Sequence, residues 1–239
     1  MIYSYDTRVG FDKLGPDGRA DIGSILDYLN ECCFFHGQDV GRGIYDTLAY
    51  DRTWMTISWQ VVVDRYPNAF ERLKVSTMGV GCDRLYAHRN HFITDESGEM
   101  IAKSFSLWTW TNMKTGHPAN LQEEQDAYLD FQPETERLEM DYAPRKIRLP
   151  KEGFAPLDPI PVTGRFLDAN GHVNNSRFLD VAEEAAGRKF YPQQIRIEYK
   201  AQAFVGDVIT TEICEEPDRD FYVLKNQNGD VCCSMELLK

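Results

Sequence analysis

A short polar segment, from Asp168 to Asn175, holds the side chains of this chain that are best suited to chemistry. It gathers one aspartate, one histidine and three asparagines within eight positions. His172 can take a proton from water near pH 7, because an imidazole titrates in that range. Asp168 can orient the imidazole or hold the water, and the amide of Asn170 can donate a hydrogen bond to a carbonyl. The segment therefore predicts a site that activates water by general base catalysis.

A helix is expected directly after this segment. Four apolar residues recur there at helical spacing, namely Phe178, Val181, Ala182 and Ala185. Gly187 then supplies a stop signal. The first backbone N–H groups of a helix lack partners inside it, so the amide of Val173 or Asn174 could polarise a substrate carbonyl. Asn174 and Asn175 are also common helix caps, which leaves a purely structural role open for these two residues.

The chain contains an internal repeat. Three pairs of segments align in the same order: 15–33 with 168–186, 66–77 with 199–212, and 97–108 with 228–239. Each half combines a strand, a loop and one helix with several further strands, such as the alternating run at 194–201. The repeat predicts an α+β fold in which one helix lies on an antiparallel sheet, and in which this arrangement occurs twice.

The first copy of the repeat lacks the polar motif. Where the second copy has its aspartate, asparagine and histidine, the first has Gly15, Asp17 and Arg19. A motif that only caps a helix should be similar in both copies. The difference therefore favours chemistry over capping for these three positions of the second copy.

The middle of the chain separates the two halves. Segment 115–146 is polar and acidic and lacks strand alternation, so we interpret it as a crossing linker with a short helix, or alternatively as a lid. We divide the chain into an N-terminal half at 1–130, a linker at 131–146 and a C-terminal half at 147–239. The polar motif then belongs to the C-terminal half alone.

The composition excludes several classes of protein. A net charge of −12 argues against a nucleic-acid binder, and no apolar run approaches the ~18–20 residues that a membrane helix needs. The six cysteines form neither a disulfide framework nor a CxxC metal pattern. Metal-ligand spacing, a nucleotide-binding loop and a Gly-x-Ser-x-Gly elbow are all missing, so we expect no metal or cofactor. The first residues show no targeting leader, so we expect a cytoplasmic protein of bacterial type.

Three stretches of the sequence resemble a known family. They are DANGHVNNSRFLD (168–180), VVVDRYPNAFERLKVST (61–77) and IEYKAQAFVGDVI (197–209). Together they resemble the acyl-acyl-carrier-protein thioesterases of bacterial type, which carry two tandem hotdog folds, each a central helix wrapped by an antiparallel β-sheet. The resemblance implies hydrolysis of the thioester between a fatty acyl chain and the phosphopantetheine arm of acyl carrier protein, which releases free fatty acid and ends chain elongation. The C-terminal half is then catalytic, and the N-terminal half houses the acyl chain.

One position departs from the family pattern. Plant members have a Glu-Cys pair where this chain has Gln202 and Ala203. A glutamine cannot act as a base, but its amide can orient water. The predicted catalytic residues are Asp168, Asn170, His172 and Gln202. The departure keeps two alternatives open, an acyl-coenzyme A thioesterase on the same fold and a non-catalytic acyl-binding protein.

The resemblance also predicts where substrate and carrier bind. The expected substrate-binding residues are Ile25, Leu26 and Leu29 on the first helix, with Val173 and Asn174 beside the motif. An acidic carrier protein must dock on a local basic patch, because this chain is acidic as a whole. The candidate docking residues are Arg145, Lys146, Arg188 and Lys200. Two tandem hotdogs can mimic a dimer within one chain, so a monomer and a homodimer are both compatible with the sequence.

Overall fold

The chain forms a large antiparallel sheet with few helices over the residues that the computed structural model describes, which are 2–49, 51–119, 121, 136–168 and 171–239. Within these residues the α-helices are α1 (Ile22–Asp39), α2 (Ile44–Ala49) and α3 (Arg177–Ala186). The strands of the first half are β1 (Tyr3–Arg8), β2 (Arg52–Val63), β3 (Arg72–Cys82), β4 (Ala87–Asp95) and β5 (Met100–Asn112). Those that follow are β6 (Ala155–Pro156), β7 (Ile160–Pro161), β8 (Gln194–Tyr199), β9 (Val208–Glu215), β10 (Arg219–Lys225) and β11 (Val231–Leu238).

One sheet runs through both halves in the order β1-β3-β4-β5-β2-β8-β11-β10-β9-β6, and β7 pairs with β9. The two halves meet where β2 pairs antiparallel with β8, from Ser58 opposite Glu198 to Val62 opposite Gln194. The predicted α+β class is confirmed, because one long sheet carries a helix in each half.

The helices pack on the inner face of the sheet. Residues at helical spacing on α1 have at most 1% of their surface exposed, namely Ile22, Ile25, Leu26 and Leu29. The helix begins after Asp21, whose Oδ1 accepts the N–H of Ser24 over 2.8 Å. The shorter helix α3 ends where Gly187 adopts a left-handed φ of 64°, as the stop signal predicted. The two helices meet where Arg177 Nη2 lies 3.1 Å from Asp27 Oδ2.

The stretch that precedes the second half crosses the outer face of the sheet. On the first half, the Leu138 N–H donates to Asn90 Oδ1 over 3.2 Å. On the second half, Arg196 donates to the backbone carbonyl of Pro144. This part of the predicted linker therefore binds both halves. The short helix expected within the linker falls mostly on residues 122–135, which lie outside the described residues.

The helices of the described residues were searched for candidate membrane spans. None of them is both long enough and apolar enough to cross a membrane.

Candidate active site

The polar motif lies on a tight loop before α3. Leu167 and Val173 bridge across its base, and the Asp168 N–H donates to the carbonyl of His172 over 2.9 Å. The turn closes with Gly171 at a φ of 80°, a left-handed conformation that costs a side chain free energy and favours glycine. The loop therefore holds Asp168 and His172 opposite each other, although four positions separate them.

A second loop, between β8 and β9, brings Gln202 to His172. The Val173 N–H donates to the carbonyl of Ala203 over 2.9 Å, which ties the two loops together. Gln202 Nε2 then lies 3.5 Å from His172 Nδ1. The ring of Phe204 contacts the imidazole edge-on, with 5.2 Å between centroids. The pairing of these loops places side chains that are 30 residues apart in sequence side by side.

The described part of the predicted catalytic set comes together in one place. The Asp168 carboxylate accepts the backbone N–H of His172 over 3.4 Å. His172 is half-buried and Gln202 is exposed, so solvent reaches the pair. Asn170 lies outside the described residues. Among the residues that are described, no three His, Cys, Asp or Glu side chains are grouped to hold a metal ion.

The start of α3 is built from a local turn. Asn174 Oδ1 accepts the backbone N–H of Ser176 over 3.1 Å and lies 3.2 Å from its hydroxyl. The Arg177 N–H donates to the carbonyl of Asn174 over 2.8 Å. The Tyr199 hydroxyl donates to the carbonyl of Asn175 over 2.9 Å. Asn174 therefore forms a turn ahead of the helix, the N-cap position belongs to Ser176 without a side-chain cap hydrogen bond, and the Tyr199 hydroxyl holds Asn175 from the sheet.

The amides of Val173 and Asn174 are not available to a substrate carbonyl, contrary to expectation. The Val173 N–H is bound to Ala203, and the Asn174 N–H donates to the carbonyl of Phe166 over 2.8 Å. The reason is that these two amides close the loop against its neighbours. Within the described residues, the Asn175 N–H has no acceptor. Sequence reasoning missed this amide, because its freedom depends on where the helix begins.

The predicted acyl-contact residues belong to the main core. The side chains of Ile25, Leu26 and Leu29 have between 0 and 1% of their surface exposed, and Val173 has 4%. They pack in one continuous apolar cluster that extends through both halves. An acyl chain that contacts them must enter this core between α1 and the sheet.

Three of the four predicted docking residues lie on the outer face of the sheet. Arg145 Nη1 is 3.7 Å and Lys200 Nζ is 3.5 Å from the buried carboxylate of Glu198. Lys146, next to Arg145, is exposed. These three cations form one patch, and Lys200 is two residues from Gln202.

The fourth docking residue, Arg188, lies on the opposite face. Arg188 Nη2 binds Asp220 Oδ2 over 3.0 Å, and it lies 3.3 Å from the hydroxyl of Tyr222. Tyr222 is fully buried in the core, and strand alternation places Asp220 on the same inner face. The structure therefore separates Arg188 from the other three cations.

A buried carboxylate links α3 to the N-terminus of α1. Glu183 accepts the Phe190 N–H over 2.9 Å and binds Lys189 Nζ over 2.7 Å. Lys189 Nζ also lies 2.7 Å from Asp21 Oδ2. Burial raises the pKa of Glu183 to about 7, against the lowering effect of Lys189 and the Phe190 amide. The charge of this contact between the halves therefore changes near neutral pH.

Solved structures share the fold along the whole chain. An acyl-ACP thioesterase from Bacteroides thetaiotaomicron superposes with a TM-score of 0.80 at 21% identity, over 99% of this chain and 97% of that one. The 12:0-ACP thioesterase from Umbellularia californica gives a TM-score of 0.84 at 16% identity, over 99% and 96% of the two chains. The tandem hotdog fold predicted from the sequence is confirmed.

Sequence relatives and family domains agree with this fold. The chain is 24% identical to an acyl-[acyl-carrier-protein] hydrolase of Cuphea viscosissima over 93% of its own length and 57% of the relative. It is 25% identical to a dodecanoyl-[acyl-carrier-protein] hydrolase of Cinnamomum camphora over 82% of its length and 55% of the relative. The chain thus spans little more than half the length of these relatives. The acyl-ACP thioesterase N-terminal domain matches residues 2–129 and the C-terminal domain matches residues 158–237. The chain belongs to the acyl-ACP thioesterase family.

Proposed function

We propose that the chain hydrolyses the thioester that links a fatty acyl chain to acyl carrier protein. The observation that carries this proposal is the juxtaposition of His172 and Gln202 on two converging loops, 3.5 Å apart and open to solvent. Membership of the thioesterase family, and relatives named as acyl-carrier-protein hydrolases, support the substrate class.

In this proposal His172 takes the proton of the attacking water. The ring needs an unprotonated Nε2 for this step, so Nδ1 must carry the proton and donate it to an acceptor. A half-turn of the Gln202 amide turns its oxygen towards Nδ1, and that oxygen can accept the bond. Gln202 then selects the useful tautomer of His172 without acting as a base, and the missing family glutamate is replaced in this orienting role.

The start of α3 is the proposed oxyanion site. The Asn175 N–H has no acceptor among the described residues, and the positive end of the helix dipole adds to the attraction for a developing oxyanion. Asn170 is proposed as a second donor, and Asp168 as the residue that shapes the loop around His172. The two predicted donors at Val173 and Asn174 have no part in this arrangement.

The division of labour between the halves is also part of the proposal. The half at 147–239 carries the chemistry, the half at 1–130 houses the acyl chain, and 131–146 connects them. An acidic carrier docks on the outer patch of Arg145, Lys146 and Lys200, beside the catalytic loops. We further propose that the protein acts in the cytoplasm, either as a monomer whose two halves mimic a dimer or as a homodimer.

The decisive experiment incubates purified protein with acyl-carrier-protein and acyl-coenzyme A thioesters of several chain lengths and measures free fatty acid. We expect release from the carrier-protein thioesters in preference to the coenzyme A thioesters. A preference for coenzyme A contradicts the carrier assignment, and tight acyl binding without release identifies an acyl-binding protein. Charge reversal at Arg145 and Lys146 should raise KM for the carrier protein alone, and an unchanged KM at low salt removes the patch from the proposal.

A further inference from the structure

The distal part of the first half contains a buried positive charge. Arg89, on β4, has 6% of its surface exposed and faces α1 from the inner side of the sheet. Its Nε donates to Thr77 Oγ1 over 3.2 Å, and its Nη2 donates to His36 Nδ1 over 2.6 Å. No carboxylate among the described side chains lies within 4.0 Å of its guanidinium.

The other polar groups beside Arg89 are neutral. A guanidinium can only donate, so His36 accepts on Nδ1 with an uncharged ring. Burial and the charge of Arg89 lower the pKa of His91 well below its usual range. Burial raises the pKa of the Cys33 thiol to about 11, so Cys33 is not a thiolate at neutral pH. Among the described residues, the guanidinium charge therefore has no carboxylate counter-charge in this part of the core.

Several other buried charges among the described residues are paired, although Asp207 has only the Phe204 N–H as a partner. Asp220 has Arg188 at 3.0 Å and Lys239 at 2.8 Å, and Glu236 has Arg196 and Arg219. An unpaired buried charge destabilises a fold, because desolvation is not offset by an ion pair. A charge kept in such a place suits a ligand that brings the opposite sign.

The position of Arg89 relates it to the proposed acyl path. Asp27 of α1 contacts Arg177 at the start of α3, and His36 lies nine residues further along α1, about 14 Å by the helical rise. An extended chain advances roughly 1.2 Å per bond. Nine residues also turn half-way round the helix, and a chain of roughly a dozen carbons spans the axial distance between these two positions. The ten residues of α3 end before any counterpart of His36, so the region around His36 and Arg89, the distal compartment, has no equivalent among the described residues of the second half.

We propose that the first half binds acyl chains of about a dozen carbons whose far end carries a carboxylate, with Arg89 as the residue that binds that carboxylate. The inference rests on the proposed function for the use of the compartment, but it makes a separate statement about binding. Thr77 and His36 hold the guanidinium in place, and its remaining N–H groups face the ligand.

The test compares dodecanedioic acid with dodecanoic acid as ligands of the full chain. The four tryptophans lie at positions 54, 59, 108 and 110, all in the first half, and Trp108 Nε1 donates to Ser106 Oγ beside His91. Tryptophan fluorescence therefore reports ligand entry without turnover. We expect the diacid to bind on the order of 10- to 100-fold more tightly, because hydrogen bonds to charged groups are strong.

Arg89→Met should remove this preference while dodecanoic acid still binds, and Arg89→Lys should retain part of it. The matched control is Arg72→Met, an exposed arginine of the same half, which should leave the ratio unchanged. Equal binding of the two acids by the unchanged protein overturns the inference, whether or not a variant folds. Equal quenching of tryptophan fluorescence by acetate and by the diacid also overturns the inference, because it indicates a site that binds a carboxylate without an acyl chain.

Turnover separates this inference from the proposed function. The carrier-protein thioesters of dodecanoic acid and of dodecanedioic acid are compared, and kcat/KM should favour the second by a similar factor. A preference for the diacid in binding, with no hydrolysis of either thioester, refutes the hydrolase proposal and supports the binding site. Hydrolysis of both thioesters at equal kcat/KM, with equal binding of the acids, refutes the binding site alone.

Discussion

The loops that precede α1 and α3 have the same backbone and different side chains. In the first half the Gly15 N–H donates to the Arg19 carbonyl over 2.8 Å, and in the second the Asp168 N–H donates to the His172 carbonyl over 2.9 Å. The amide that follows in each loop donates over 2.9 Å to a carbonyl of the neighbouring loop, at Pro67 or at Ala203. The duplicated scaffold therefore survives at the level of single hydrogen bonds.

The side chains on this scaffold have different partners. Arg19 binds Asp17 over 2.6 Å, whereas His172 faces Gln202 at 3.5 Å. By these hydrogen bonds Tyr66, which precedes Pro67, takes the place of Gln202, which precedes Ala203; Tyr66 is buried and donates its hydroxyl to a backbone carbonyl. The first loop pairs its cation with a carboxylate of the same loop, whereas the histidine of the second loop faces an amide of the neighbouring loop.

The helix starts differ in the same way. Asp21 caps α1 directly, and the helix continues from Ile22. In the second half Asn174 forms a turn, α3 begins at Arg177, and the Asn175 N–H has no acceptor within the described part of the chain. The comparison shows that α3 begins later in its repeat than α1 does, and this delay exposes the backbone amide of the proposed oxyanion site.

Removal of His172 should have the largest effect of the changes considered. His172→Ala is expected to lower kcat by about 10²–10⁴-fold, because a general base contributes that much, while the fold is kept. Steady-state hydrolysis of the fatty acyl thioester of acyl carrier protein measures kcat, and far-UV circular dichroism measures whether the fold is kept. Arg19→Ala in the first loop is the matched control and should leave kcat within about twofold. A near-normal kcat for His172→Ala contradicts the assigned role.

The two halves differ in buried charge at the position of Glu183, because the repeat aligns this residue with the uncharged Asn30 of the first half. Variants of Glu183 test this difference. Its raised pKa means that the folded state binds the proton more strongly than the unfolded chain. The stabilisation by protonated Glu183 is therefore lost as pH rises from about 4.5 to about 7.

The free energy of unfolding of Glu183→Gln, relative to that of the parent protein, should increase by about 3 kcal/mol as the pH rises from 5 to 8. Urea unfolding at several pH values measures the gain. Glu184→Gln, on the exposed side of the same helix, should show little pH-dependent difference. Parallel pH profiles for Glu183→Gln and the parent would show that burial does not shift this carboxyl.

Variants of Gln202 test whether its amide orients the His172 imidazole. Tyr66, at the corresponding place in the first half, cannot have this role. Gln202→Leu should lower kcat roughly tenfold, because the tautomer of His172 is no longer selected, and Gln202→Glu should keep or raise it. The pH–rate profile is the additional measurement, since Gln202→Glu should raise the apparent pKa of the base. Tyr66→Phe in the first half should not change kcat. An unaltered rate and pH profile for Gln202→Leu would exclude the role.

The two turn glycines should give the smallest effect. Gly18 and Gly171 have φ values of 76° and 80°, and the space around an added Cβ is open at both. Each alanine variant should therefore cost about 1–2 kcal/mol of stability from backbone strain alone. Only Gly171→Ala should also reduce kcat, by a few-fold, and equal kinetic effects of the two would argue against the division between the halves.

Much of the fold follows from local pattern. Alternation in segments such as 194–201 specifies strands, and helical spacing after Ser176 specifies α3, because both periods are properties of the backbone. The pairing of Gln202 with His172 could be anticipated only through family resemblance, since no local signal connects the two loops. The separation of Arg188 from Arg145 was not predictable, because it depends on which face of the sheet each residue reaches.

The sequence by itself determined the α+β class, the internal repeat and the location of the polar motif in the second half. Only the tertiary structure decided which amide beside the motif is free, and which cations form one surface. It also showed that Arg89 is buried and has no carboxylate partner among the described residues. The physical reason is that periodicity is local, whereas the partner of a hydrogen bond or a charge is set by segments that are far apart in the chain.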